Sequence, residues 1–213
     1  MIGFYNYTVI VTYISLLTSS LGLAFAMARR PYEALFCLMA SGLCDMLDGM
    51  IARTRKNTTD EERRFGVQLD SLSDIVCFGV LPAAVGMCIT QKSGLVWKIS
   101  CALGGFLILC ALIRLAYFNV TEEQRQTTEG GARTHFQGLP VTASALIFPL
   151  AFGIAMLART STWTVWVYPA ALALTAVFFI LPIRVPKVRG VGAVILGLVG
   201  LAECGGLLYL MLS

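Results

Sequence analysis

Charge is scarce in this sequence. Asp, Glu, Lys and Arg make up 13% of the 213 residues and apolar residues 57%, whereas a soluble domain carries about 25% charged residues. The charges fall in clusters between long apolar runs, which excludes an ordinary globular domain and indicates a polytopic membrane protein. Histidine occurs once, at His135. The seven cysteines (Cys37, Cys44, Cys77, Cys88, Cys101, Cys110 and Cys204) form no CxxC pair, and each lies in or beside an apolar stretch. They read as small buried hydrophobes, not as a zinc site or a disulfide framework. The net charge is +4, with no basic run interleaved with aromatics, so no nucleic-acid partner is expected. Met1 to Tyr7 lacks the positive start of a signal peptide, and no short apolar region with a cleavage site follows, so no cleavable leader is expected. Internal repeats and low-complexity segments are absent.

What the sequence has in abundance is apolar length. Seven segments stand out, at about 8–27, 32–53, 68–90, 96–118, 139–158, 163–183 and 190–212. Each is about 20 residues, enough to span roughly 30 Å as a helix. Pro169 and Pro182 fall in the sixth segment and are compatible with a membrane helix whose neighbours re-satisfy the backbone. The loops at 53–67, 119–138 and 184–189, with Arg114 at a helix end, hold eleven of the sixteen Lys and Arg residues. The other side holds Arg29, Arg30, Lys92, Lys98 and Arg159. The bias places the N-terminus and the first set of loops in the cytoplasm and the C-terminus outside. Trp97, Trp163 and Trp166 fall near the opposite face, as an interfacial belt would.

Four aspartates interrupt this pattern. Asp45 and Asp48, near the end of the second segment, are i and i+3 and share one helix face. Asp70 and Asp74, at the start of the third, are i and i+4 and share another. A polar linker of 12 residues, 54–65, flanked by Gly66, joins the two segments into a hairpin. The four carboxylates are therefore expected to converge at one depth, just below the cytoplasmic surface. Uncompensated, they would repel one another and lose hydration, and ionisable residues inside membranes are for that reason rare and functional. Arg53 can neutralise one of them but not four. Divalent cations solve the problem: hard oxygen ligands in this number suit Mg²⁺, Mn²⁺ or Ca²⁺, and two metals about 3.5–4 Å apart suit a phosphoryl displacement. Gly49 and Ala52 would let a flat group approach the helix, or else serve helix packing. Arg53 offers a bidentate fork for a phosphate oxygen.

Asp45-x-x-Asp48-Gly49-x-x-Ala52-Arg53, followed by Gly66-x-x-x-Asp70-x-x-x-Asp74, resembles the signature of the CDP-alcohol phosphatidyltransferase family. Eight fixed residues over 30 positions carry the resemblance, and the spacer between Arg53 and Gly66 is longer than the family usually has. The resemblance implies an all-α polytopic membrane fold with a six-helix core, here with about one extra transmembrane helix, and a single membrane-embedded domain. It implies two divalent cations, Mg²⁺ or Mn²⁺, held by Asp45, Asp48, Asp70 and Asp74, with Asp74 also the general base. Gly49, Ala52 and Gly66 would line the cytidine pocket, and Arg53 would hold a CDP phosphate. Members are often homodimers, and the active site would face the cytoplasm.

Leu69 to Pro82, Arg114-Leu115-Ala116-Tyr117-Phe118-Asn119, Phe136-Gln137-Gly138-Leu139-Pro140 and Ile183-Arg184-Val185-Pro186-Lys187 are similar to the phosphatidylserine synthase branch of that family. Tyr117 stands where the branch usually has a second arginine. This points to CDP-diacylglycerol and L-serine as substrates and CMP as a product. Arg114, Asn119, Arg133 and His135 are candidates for holding the acceptor. His135 also reads as a solvated loop residue, and Arg114 as a positive-inside anchor. Glu203, inside the seventh segment, has no assigned partner. Other acceptors (glycerol 3-phosphate, inositol phosphate, an amino alcohol), an archaeal-type lipid donor, a divalent-cation transporter and an inactive membrane protein are the alternatives.

Overall fold

Apolar runs of this length satisfy their backbone polar groups in a bilayer only by closing hydrogen bonds within the segment, and helices result. The computed structural model describes residues 3, 7–52, 59–128, 135–158, 164–186 and 191–212. The helices are α1 (Tyr7–Met27), α2 (Pro31–Ala52), α3 (Asp60–Asp74), α4 (Leu81–Thr90), α5 (Leu95–Thr128), α6 (Ser144–Leu157), α7 (Thr164–Ile180) and α8 (Val191–Leu212). A π-helical turn, Ile75–Val80, joins α3 to α4, so the expected seven rods are present, the third being α3 and α4 together. Among the described residues, Val9–Met27, Asp60–Thr90 and Leu95–Arg125 are long and apolar enough to cross a membrane. The apolar helices Val141–Leu157, Thr164–Ile180 and Leu196–Leu212 are shorter. The chain is an all-α polytopic membrane protein.

The distribution of polarity is the one a lipid solvent imposes. On α1, Ile10, Ile14, Leu17 and Leu21 are exposed, whereas Thr12, Ser15 and Ser19 on the other face are buried. Inside, Leu35 and Leu38 of α2, Phe78 of the π turn, Leu107 of α5, Phe148 of α6 and Leu172 of α7 belong to one buried cluster. Small polar and small apolar residues let helices approach closely in such a bundle. All seven cysteines are free, and Cys37, Cys77 and Cys110 are buried.

The π turn has a local cause. Pro82 has no backbone N–H, and its ring would press on the carbonyl four residues back. The helix accommodates it by widening just before the proline, where the Leu81 N–H reaches the Val76 carbonyl. Widened turns of this kind concentrate at functional sites, and this one follows Asp74 directly.

Three expected loops are shorter or more ordered than the hydropathy indicates. α3 begins at Asp60 and not at residue 68. Thr59 and Glu62 form a capping box there, with the Glu62 N–H donating to the Thr59 hydroxyl and the Thr59 N–H to the Glu62 carboxylate, both at 3.2 Å. α5 continues to Thr128 beyond the expected end at 118. Its outer turns are polar but helix-compatible, and Arg125 pairs with Glu122 at 2.6 Å. Arg64 of α3 meets Glu123 of α5 at 3.1 Å, tying the two extensions together. Between α5 and α6, β1 (His135–Gln137) pairs antiparallel with β2 (Arg184–Pro186), Phe136 opposite Val185.

Gly138 completes this junction. Its φ is +78°, and an added Cβ would lie 3.0 Å from the Phe179 carbonyl oxygen, so only glycine fits without strain. The Gly138 N–H donates to the Ile183 carbonyl at 2.7 Å and the Leu139 N–H to the Phe178 carbonyl at 3.2 Å. The chain is thus stitched to the end of α7 before Pro140 opens the short 3-10 turn Val141–Ala143 that leads into α6.

Candidate active site

The hairpin of α2 and α3 brings the aspartates together. Carboxylate oxygens of Asp45, Asp70 and Asp74 all lie within 4.8 Å of one another. Asp74 is buried, and Asp45 and Asp70 are half-buried. Three carboxylates this close and this poorly hydrated repel one another, and a shared proton or a bound cation relieves that repulsion. Their hard oxygen donors are suited to a divalent cation of the Mg²⁺ or Mn²⁺ class. Asp48, one turn beyond Asp45, stands outside this triad and accepts a hydrogen bond at its Oδ2 from the Thr12 hydroxyl at 3.2 Å.

Next to the triad is a cavity of about 730 Å³. Its floor is Asp45, Asp70 and Asp74. One wall is α5, with Arg114, Phe118 and Asn119; another is the 3-10 turn from Pro140 to Thr142. Its rim carries Arg63, Arg64, Glu122 and Glu123. Arg114 is buried, so its guanidinium is a cation in a poorly hydrated part of the site, where charge counts for more than in water. Ser71 and Asn119 hydrogen-bond across the cavity wall. The cavity is therefore anion-lined at its base and carries a buried cation on its flank. A divalent cation held by the carboxylates would suit the base of the cavity to a phosphate, and Arg114 would suit its flank to a second anionic group.

The expected site residues divide into three groups. Asp45, Asp70, Asp74, Arg114 and Asn119 meet at this cavity. Asp48 and Gly66 flank it: Gly66 lies one turn before Asp70, and nothing comes within 4 Å of a Cβ added there. That space leaves room for a group to lie against α3. Arg53 and Arg133 lie outside the described residues, as do the side chains of Ala52 and His135 and the surroundings of Gly49. The backbone of His135 is in β1.

Sequence reasoning missed Thr12 and Ser71. Both carried a signal. Ser71 is three residues before Asp74 and shares its helix face. Thr12, Ser15 and Ser19 recur at helical spacing in a largely apolar helix, which marks a polar seam along one face. The wall at residues 140–142 carried none, because nothing local says that it folds back over the aspartates.

A family model described as CDP-alcohol phosphatidyltransferase matches residues 5–182. The chain is also similar to the CDP-diacylglycerol–serine O-phosphatidyltransferase of Saccharomyces cerevisiae, 36% identical over 135 residues, or 61% of this chain and 46% of the relative. The protein of the same description from Mycobacterium bovis is 28% identical over 182 residues, covering 85% of this chain and 61% of the relative. The archaetidylserine synthase of Methanothermobacter thermautotrophicus is 30% identical over 160 residues, covering 75% and 60%. The matched region spans from 46% to 61% of the length of these relatives. The match runs from the start of α1 to the end of α7 and takes in both aspartate-bearing helices, and the chain belongs to the CDP-alcohol phosphatidyltransferase family.

Proposed function

We propose that this chain transfers a phosphatidyl group from CDP-diacylglycerol to L-serine, giving phosphatidylserine and CMP. The observation that carries the reading is the carboxylate triad opening on a cavity that also holds a buried arginine. The three relatives described above, all named for serine transfer, support serine as the acceptor. In this reading Asp45, Asp48, Asp70 and Asp74 hold two divalent cations, Mg²⁺ or Mn²⁺. Bound there, the metals would neutralise pyrophosphate charge and polarise the phosphorus to be attacked.

The chain's own residues do the rest. Arg114 receives the serine carboxylate, and Asn119 borders the same space. Asp74 takes the proton from the serine hydroxyl, whose oxygen then attacks the lipid-side phosphorus. The bond from that phosphorus to the bridging oxygen breaks, and CMP leaves. Arg53 steadies the departing phosphate. No covalent enzyme intermediate is required. The active site faces the cytoplasm, and the protein works as a homodimer, as family members often do. A donor with archaeal-type tails is the second reading, favoured by the similarity to an archaetidylserine synthase.

The test is a reaction of the purified protein with CDP-diacylglycerol, Mn²⁺ and labelled serine. CMP release and labelled lipid that both depend on serine and disappear in EDTA are expected. Release with glycerol 3-phosphate or inositol phosphate, but not with serine, would overturn the acceptor. Release only with an archaeal-type CDP-lipid would overturn the donor. Metal flux into liposomes without CMP release would replace the enzyme by a transporter.

A further inference from the structure

The cavity wall at residues 140–142 has no part in the reaction described above, yet it is held in a fixed position. Pro182 has no N–H, so the Phe178 carbonyl four residues earlier lacks its helical donor. The Leu139 N–H fills that place at 3.2 Å, and the Gly138 N–H donates to the Ile183 carbonyl at 2.7 Å. On its other side the wall runs into α6, where a Cβ added to Gly42 of α2 would lie 2.5 Å from Ala145 Cβ. α2 and the start of α6 therefore meet almost backbone to backbone. Between these two anchors the 3-10 turn packs against α2 and against the π turn.

The meeting of Gly42 with Ala145 also sets a depth. Asp45 follows Gly42 by about one turn along α2, and Thr142 precedes Ala145 by about one turn on the chain that enters α6. α2 runs toward the aspartate level and α6 away from it, so both steps lead to the same end. Thr142 accordingly lines the cavity together with Asp45, Asp74 and Arg114. Val141 beside it is buried in the core, whereas Thr142 is half-buried. Of Pro140, Val141 and Thr142, only Thr142 has a polar side chain. Its hydroxyl has no hydrogen-bond partner among the described residues.

We propose that Thr142 is a specificity-determining residue for the acceptor: its hydroxyl oxygen takes the ammonium group of serine. The inference rests on the serine reading given above. With the serine hydroxyl at Asp74 and the carboxylate on Arg114, the ammonium needs an oxygen of its own once it leaves water. The carboxylates of the triad are taken up by metal in that reading. Asn119 Oδ1 accepts from Ser71. Glu122 and Glu123 pair with Arg125 and Arg64. Gln68 is exposed, one turn before Ser71 on α3 and nearer the water. A threonine hydroxyl has two acceptor lone pairs, and that of Thr142 stands uncommitted at the depth of Asp45.

The test follows CMP release by the purified protein with CDP-diacylglycerol and Mn²⁺ while L-serine is varied. Thr142→Val keeps the shape and removes the hydroxyl; Thr142→Ser keeps the hydroxyl and removes the methyl; Thr142→Ala replaces Thr142→Val if that variant does not fold. The expected result is a serine KM about tenfold higher in Thr142→Val and near that of wild type in Thr142→Ser, with the KM for CDP-diacylglycerol unchanged in both. β-Hydroxypropionate, which is serine without its amine, is the control. As a competitive inhibitor it should bind Thr142→Val and wild type equally, because the group that Thr142 contacts is already gone. An unchanged serine KM in Thr142→Val would overturn the proposal. Equal losses for serine and β-hydroxypropionate, or a serine KM as high in Thr142→Ser as in Thr142→Val, would make Thr142 a packing residue of the wall and overturn it too. Wild-type protein that releases CMP with another acceptor but not with serine would overturn the serine reading itself, and this proposal with it.

Discussion

Ser71 Oγ lies 2.9 Å from Asn119 Nδ2 and 3.2 Å from Asn119 Oδ1, so one hydroxyl bridges both ends of the amide. The two residues are 48 positions apart. The contact joins α3, which carries two of the aspartates, to α5, which carries Arg114. The carboxylate-bearing and cation-bearing sides of the cavity are therefore set relative to each other by a side-chain pair that is itself part of the wall.

If that pair holds the cavity to its width, breaking it should be felt at both levels. Ser71→Ala and Asn119→Ala should each lower stability by about 1 kcal/mol. The double variant should cost less than the sum of the two, because the second change finds the bond already gone. Thermal unfolding in detergent gives the coupling. Strictly additive losses would mean that the two side chains do not act on each other.

Asp74 is the most buried of the triad. Asp74→Asn keeps the shape and removes the base that we propose. Turnover should fall by about 10²–10⁴-fold, while binding of the CDP-lipid is largely kept. Comparison of kcat with CDP-lipid affinity, the latter by ligand-induced thermal shift, checks both halves. Retained turnover would remove Asp74 from its role as base.

If Arg114 receives the serine carboxylate, as we propose, its replacement separates acceptor binding from donor binding. Replacing it by Met should raise the KM for serine by about tenfold or more, the loss of one charged hydrogen bond. The KM for CDP-diacylglycerol should change little. Arg114→Lys should fall in between, since an ammonium keeps the charge but not the planar fork. Equal effects on both substrates would place Arg114 on the phosphates.

Gly138→Ala tests the junction that shapes the far wall. At φ +78° and with a carbonyl 3.0 Å from the new Cβ, alanine should cost about 1–3 kcal/mol. Because residues 140–142 follow directly, the serine KM should rise as well. A variant as stable and as active as wild type would show that the turn tolerates a side chain.

The bundle was largely legible from hydropathy, because lipid forces apolar runs to be helical and makes each run a countable rod. The aspartate hairpin was legible too, since i, i+3 and i, i+4 spacings fix which residues share a face. Hydropathy marks where the bilayer ends, and not where the helix ends. It therefore read residues 60–67 and 119–128 as loops, although Thr59 and Glu62 spell a capping box. The pairing of His135–Gln137 with Arg184–Pro186 was out of reach, because three-residue strands have no pattern of their own and exist only through a distant partner. The bond from Thr12 to Asp48 depends on the relative rotation of two helices, which neither helix encodes alone.

α5 draws a boundary of another kind. At 34 residues and 1.5 Å per residue it is roughly 50 Å long, about 20 Å more than the hydrocarbon core is thick. Its lower part can lie among acyl chains while its upper part stands in water, paired to α3 through Arg64 and Glu123. Under the proposed function, two molecules that share no common solvent would therefore reach the same carboxylates from opposite directions, one by lateral diffusion in the leaflet and one through the aqueous phase. The helix works as a ruler across that phase boundary, and its length sets the depth at which a greasy reactant and a water-loving one are able to collide.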